Sequence, residues 1–126
     1  MIVADTDVLI DFQRGRDPGA AAVLAALRSG RLATTTITAF ELLSGARSSG
    51  QEEHLRSLLA ATRVLPLDLE AASEAARLRR TLDAQGLGLA VADCLIAGLC
   101  THHGAPLLTR NRKHFERVPG LVLAEV

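Results

Sequence analysis

Three acidic residues stand alone inside apolar stretches. Asp5 follows Ile2-Val3-Ala4, Glu41 lies in Ala39-Phe40-Glu41-Leu42-Leu43, and Asp93 lies in Ala90-Val91-Ala92-Asp93-Cys94-Leu95-Ile96. A carboxylate buried without a partner is costly, so each needs one. Groups this far apart in sequence can share a single partner, a divalent cation held by oxygen ligands. Each acid also has a local explanation. Asp5 can cap the helix that follows it, although Thr6 and Asp7 are placed to do the same. Thr38-x-x-Glu41 matches a capping box, in which the glutamate bonds back to the helix start. Asp93 can be an acid favoured by a helix N-terminus, yet its neighbours on both sides are apolar.

Other polar residues are candidates of a second kind. Asp7 and Asp11 are four apart and share one helix face. Asp11 reads as solvated or paired with a base, and Asp7 as a cap or an acid at the edge of a site. Arg110 and Arg112 flank Asn111 and can hold a phosphate, or be ordinary surface charge. His102-His103 suits the end of a helix, and His54 reads as a surface residue. No Cys or His spacing suggests zinc.

These residues need elements to carry them. Ile2–Ala4, Leu32–Thr36, Arg63–Leu67, Leu107–Thr109 and Leu121–Leu123 read as short strands, with Pro66 interrupting the third. Helices are expected over Asp7–Arg14, Gly19–Ser29, Thr38–Ala46, Glu52–Ala61, Leu69–Gln85 and Val91–His103. Asn111–Phe115 reads as a loop or helical turn. The segment after Asp93 is nearly free of charge, so its helix is central. Strands separated by helices predict a three-layer α/β/α domain with a mainly parallel sheet of four to five strands. Ligands bind such sheets at the carboxyl ends of the strands. Asp5 and Asn111 lie just past strands, Glu41 in the first turn after the second strand, and Asp93 at the opening of the central helix. All four can face one cleft.

The chain has 126 residues, enough for a single domain over 1–126 with a real core. It has three Phe and no Trp or Tyr, so aliphatic side chains fill the core and base-stacking platforms are disfavoured. With 14 basic and 14 acidic residues, it lacks the overall positive charge of a general nucleic-acid binder. All its basic residues but Lys113 are arginines, whose forks suit phosphate and carboxylate. Cys94 and Cys100 point to different helix faces and read as buried free thiols. Met1-Ile2-Val3-Ala4 runs directly into Asp5 without a leader, and no apolar run approaches ~20 residues. A soluble cytoplasmic protein is expected.

Taken in order, four motifs resemble those of the PIN-domain ribonucleases, specifically the VapC-type toxins of bacterial toxin–antitoxin modules. They are Met1-Ile2-Val3-Ala4-Asp5-Thr6-Asp7-Val8-Leu9-Ile10-Asp11, Thr36-Ile37-Thr38-Ala39-Phe40-Glu41-Leu42-Leu43-Ser44-Gly45-Ala46, Ala92-Asp93-Cys94-Leu95-Ile96-Ala97, and Leu108-Thr109-Arg110-Asn111-Arg112-Lys113-His114-Phe115 with Val118-Pro119-Gly120-Leu121. The resemblance implies Asp5, Glu41 and Asp93 as ligands of Mg²⁺, with Mn²⁺ able to substitute. It implies phosphodiester hydrolysis in RNA, a homodimer, and a cognate antitoxin that blocks the cleft. Many relatives carry an acid at the position of Asn111, at that of His114, or at both. Here Asn111 is left to offer a carbonyl or hold a water, and His114 to orient a water or contact phosphate.

Two rivals follow from the same residues. An aspartyl phosphatase would use Asp5 as nucleophile and Asp7 as acid. That chemistry needs a lysine and a late acidic pair, whereas Lys113 is the only lysine and no adjacent acids follow Asp93. A catalytically weak PIN-fold protein acting through binding alone would fit the missing fourth acid.

Overall fold

The computed structural model describes residues 1–126. Strands β1 (Ile2–Ala4), β2 (Leu32–Thr35), β3 (Arg63–Leu65) and β4 (Leu107–Leu108) form one sheet in the order β3-β2-β1-β4. Every pairing is parallel, with Val3 opposite Ala33 on one side and Leu107 on the other. The helices are α1 (Thr6–Arg14), α2 (Gly19–Arg28), α3 (Thr36–Ser44), α4 (Ser49–Ala60), α5 (Leu69–Ala84), α6 (Val91–His103) and α7 (Arg112–Phe115).

Three layers follow from the strand alternation. Successive strand side chains point to opposite faces. Val3, Ala33 and Leu107 enter a core built with α5, α6 and Phe115 of α7. Their neighbours Ala4, Leu32 and Leu108 enter a second core built with Val8, Leu9, Val23, Leu42 and Leu55. Both faces are covered, which is why these strands read as continuous apolar runs.

The boundaries differ from the sequence reading in several places, among them α4, which starts at Ser49 rather than Glu52 because Ser48 Oγ accepts the Gln51 N–H at 3.1 Å. The helix holding Glu41 starts two residues early, because Thr35 ends β2 and its side chain accepts the Thr38 N–H at 3.0 Å. Thr35 and Thr38 therefore make the cap expected of Thr38 and Glu41, and Glu41 lies in the second turn. Leu121–Leu123 does not form a strand; only an isolated bridge joins Leu123 to Leu107. The sheet thus has four strands, within the expected four to five, and β3 ends at Leu65 before Pro66.

Helix α6 is the central one, with Ile96, Ala97, Leu99 and Cys100 fully buried. It lies against α5 at a close approach. A Cβ built on Gly98 would stand 2.6 Å from Ala75 Cβ and 2.7 Å from Ala75 Cα. Gly98→Ala is expected to lose roughly 1–2 kcal/mol of stability, overpacking outweighing the better helix propensity of alanine. Urea melts at unchanged slope measure this; a variant as stable as wild type would mean the two helices separate without cost.

Candidate active site

The carboxyl ends of β1 and β4 lie side by side, and the acids collect there. Asp5 caps α1: its Oδ1 accepts the Thr6 N–H at 2.8 Å. Its Oδ2 accepts the Thr109 hydroxyl, also at 2.8 Å, from just past β4. The local explanation for Asp5 is thus correct, and it describes only one of the two oxygens. Burial pushes the Asp5 carboxyl up to about 6 against these two hydrogen bonds, and the charges of Asp7 and Asp93 push the same way. No cationic side chain opposes them.

Asp93 is the third residue of α6, in a helix whose N-terminus has no side-chain cap. A helix dipole alone would lower its pKa. Instead burial raises it, and the charges of Glu41 and Asp7 add to the rise while His114 opposes it. Glu41 reaches in from α3, and its Oε1 accepts the Thr6 hydroxyl at 2.7 Å. Four carboxylates from α1 and its cap, α3 and α6 therefore act on one another electrostatically.

Asp7 belongs to this group, although the sequence left its role open. Its Oδ2 accepts the Arg110 N–H at 3.1 Å and lies 3.3 Å from the Thr109 hydroxyl. Its Oδ1 is buried without any hydrogen-bond partner, the only such side-chain atom in the chain. The sequence reading gave Thr6 only a capping role and assigned none to Thr109. A threonine ending an apolar strand such as Leu107-Leu108-Thr109 is the one local signal that could have indicated the second.

The fourth motif is arranged differently from expectation. The Asn111 N–H donates to Thr109 Oγ1 at 3.0 Å, and its side-chain nitrogen lies 2.9 Å from His114 Nδ1. His114 is exposed. Arg110 and Arg112, read as phosphate holders, both have partners within the chain. Arg112 donates to the Ala124 carbonyl at 2.8 Å. Arg110 grips Asp11 through Nε at 2.6 Å and Nη2 at 3.3 Å. Asp11 is buried rather than solvated, at 5 % exposure.

The donors gathered here are carboxylate, hydroxyl and amide oxygens. Such hard ligands suit Mg²⁺ or Mn²⁺ rather than a thiolate-seeking metal. The unpartnered Asp7 Oδ1 and the mutual repulsion at Asp5 and Asp93 fit a divalent cation as well. No three His, Cys, Asp or Glu side chains stand in ready ligand geometry around one point, and threonine hydroxyls and backbone amides hold the carboxylates in place.

Residues 2–121 match the PIN domain family, and the chain belongs to it. Its relatives place it with the VapC-type members. It is 30% identical to the tRNA(fMet)-specific endonuclease VapC of Shigella flexneri, over 93% of this chain and 91% of that one. It is 35% identical to ribonuclease VapC10 of Mycobacterium tuberculosis, over 91% of this chain and 86% of that one. The solved structure of VapBC-1 from nontypeable Haemophilus influenzae has a TM-score of 0.83 at 25% identity, covering 99% of this chain and 98% of that chain. The ordered motifs and the fold agree on this family, which sets the aspartyl phosphatase aside.

Proposed function

We propose that this chain is a metal-dependent endoribonuclease, the toxin of a toxin–antitoxin module, with Asp5, Glu41 and Asp93 holding Mg²⁺ and Mn²⁺ able to substitute. The observation that carries the reading is geometric. Asp5, Asp7 and Glu41 are tied together through Thr6 and Thr109 at the strand ends, and Asp7 Oδ1 is buried there without a partner. When bound there, a divalent cation lowers the pKa of a water and offsets charge on the phosphoryl oxygens.

The chain's own residues supply position. Thr109 and the Thr6 N–H aim the two oxygens of Asp5 in different directions. Thr6 holds Glu41 toward the same cleft. Asn111 orients His114 through Nδ1, which leaves the other ring nitrogen for a water or a phosphate oxygen. Asp7 brings a fourth negative charge where the fourth motif has none.

The names of the relatives support a ribonuclease, and the VapBC structures support an antitoxin partner. A groove floored by Ile10, Phe12, Leu42 and Leu55, with Arg14 and Arg47 on its lining, reaches Glu41 and suits an antitoxin segment. Phe40 and Val91 stand exposed beside Glu41 and Asp93, and this apolar patch supports a homodimer. No helix is long and apolar enough to cross a membrane.

The test is cleavage of structured RNA by the purified chain in Mn²⁺, in EDTA, and in EDTA followed by Mn²⁺, with Asp5→Asn as control. Cleavage that appears only with metal and disappears in the control is expected. The second reading, a PIN fold that only binds, draws on the Asn111–His114 pair replacing acids. It predicts no metal-dependent cleavage of any RNA and no change in the control.

A further inference from the structure

We propose that the Asp11–Arg110 ion pair positions the acidic site, with Arg110 tying helix α1 to the turn after β4. Its catalytic consequences rest on the nuclease reading above; its structural consequences do not.

Arg110 is held at two ends. Its guanidinium forks onto Asp11 at 2.6 Å and 3.3 Å, and its own N–H donates to Asp7 at 3.1 Å. Asp7 and Asp11 are one helical turn apart, so both ends anchor to the same face of α1. The neighbours of Arg110 complete the connection. Thr109 donates to Asp5, and the Asn111 N–H donates to Thr109. Three consecutive turn residues are therefore bonded into one network with Asp5, Asp7 and Asp11.

Strand β4 is two residues long and ends at Leu108. Thr109 has one hydroxyl proton, with Asp5 at 2.8 Å and Asp7 at 3.3 Å. Which acid receives it depends on where the turn sits. A shift of a few tenths of an ångström there redirects the bond that orients Asp5.

Asp11 is built for this role. It is buried, and a buried carboxylate needs a well-formed partner. Gly19 opens α2, whose first turn is capped by Asp17, its Oδ1 accepting the Ala21 N–H at 3.0 Å. A Cβ at Gly19 would overlap Asp11 Oδ2 and stand 2.9 Å from Asp11 Cβ. The absent side chain leaves the room that Asp11 occupies between α1, α2 and Arg110.

The test compares Asp11→Asn, Arg110→Gln, their double variant, and Arg110→Lys. In the metal-free proteins, hydrogen exchange at the Arg110 amide is expected to speed up about tenfold or more in Asp11→Asn and Arg110→Gln. In Mn²⁺, kcat for RNA is expected to fall about 10- to 100-fold, with KM within about twofold, and Mn²⁺ affinity read by electron paramagnetic resonance to fall in the same range. The double variant should be no worse than the poorer single, because the pair acts as a unit. Arg110→Lys should lie between, since lysine keeps the charge and lacks the fork. Unchanged amide exchange in both single variants overturns the proposal. So does a raised KM at constant kcat, which would make Arg110 a phosphate contact. Should Asp11→Asn fail to fold, wild-type exchange and kcat in Arg110→Gln overturn it alone. If the wild type shows no metal-dependent cleavage, the nuclease reading falls while amide exchange still decides the tie.

Discussion

Asp93→Asn is expected to reduce Mn²⁺-dependent RNA cleavage by roughly a hundredfold or more while the fold stays intact. Asparagine keeps the size and one oxygen of Asp93 and removes its charge. Asp93 stands in the first turn of α6, where it receives repulsion from Glu41 and Asp7. On the proposed function such a residue helps to hold a cation, and without one it adds repulsion. The same substitution should therefore leave the melting temperature in EDTA unchanged or higher. Circular dichroism and thermal melts, run with and without Mn²⁺, separate the two effects. Wild-type cleavage rates in the variant would remove Asp93 from the site. A clear drop in the EDTA melting temperature would make it a structural residue instead.

The second large effect concerns pH and the metal-free protein. The Asp5 carboxyl has its ordinary value of 3.8 in an unfolded chain and about 6 in the native state. The native state thus holds the proton more tightly. Below about pH 4 both states are protonated, and Asp5 adds no penalty. Between about 4 and 6 the unfolded chain loses its proton first, and stability falls as pH rises. Above that window the full penalty applies, roughly 3 kcal/mol at 1.36 kcal/mol per pH unit. Asp5 is 6 % exposed, so solvent does little to screen it.

Asp5→Asn removes this titration. In EDTA the variant should gain on wild type by roughly 2–3 kcal/mol between pH 4 and pH 8, read from urea melts at each pH. A stability difference that stays flat across the range would contradict the burial argument. Adding Mn²⁺ at pH 8 should reverse the order, because a ligand stabilises the state that binds it.

Much of this organisation is visible in the residues themselves. The solitary acids Asp5, Glu41 and Asp93 were legible because charge inside an apolar stretch violates local pattern. The parallel, doubly covered sheet was legible because Ile2-Val3-Ala4 and Leu107-Leu108 are apolar without alternation. Helix ends were less legible. Thr36, Ile37 and Thr38 have strand propensity, yet the hydroxyl of Thr35 captures the Thr38 N–H and starts α3 early. Leu121–Leu123 has strand composition too, but beyond one bridge it finds no ladder to join.

Pattern and spacing along the chain alone were enough to specify most of the elements, which faces are buried, and which acids stand inside apolar stretches. Those properties depend on neighbours within a few residues, where backbone periodicity dictates geometry. The partnerships were decided only by folding. Asp7 with the Arg110 amide, Asp11 with the Arg110 guanidinium, and Asp5 with Thr109 all join residues about a hundred positions apart. Hydrogen bonds and charge act over a few ångströms in space, and no local pattern encodes which distant side chain the parallel pairing of β1 and β4 will deliver.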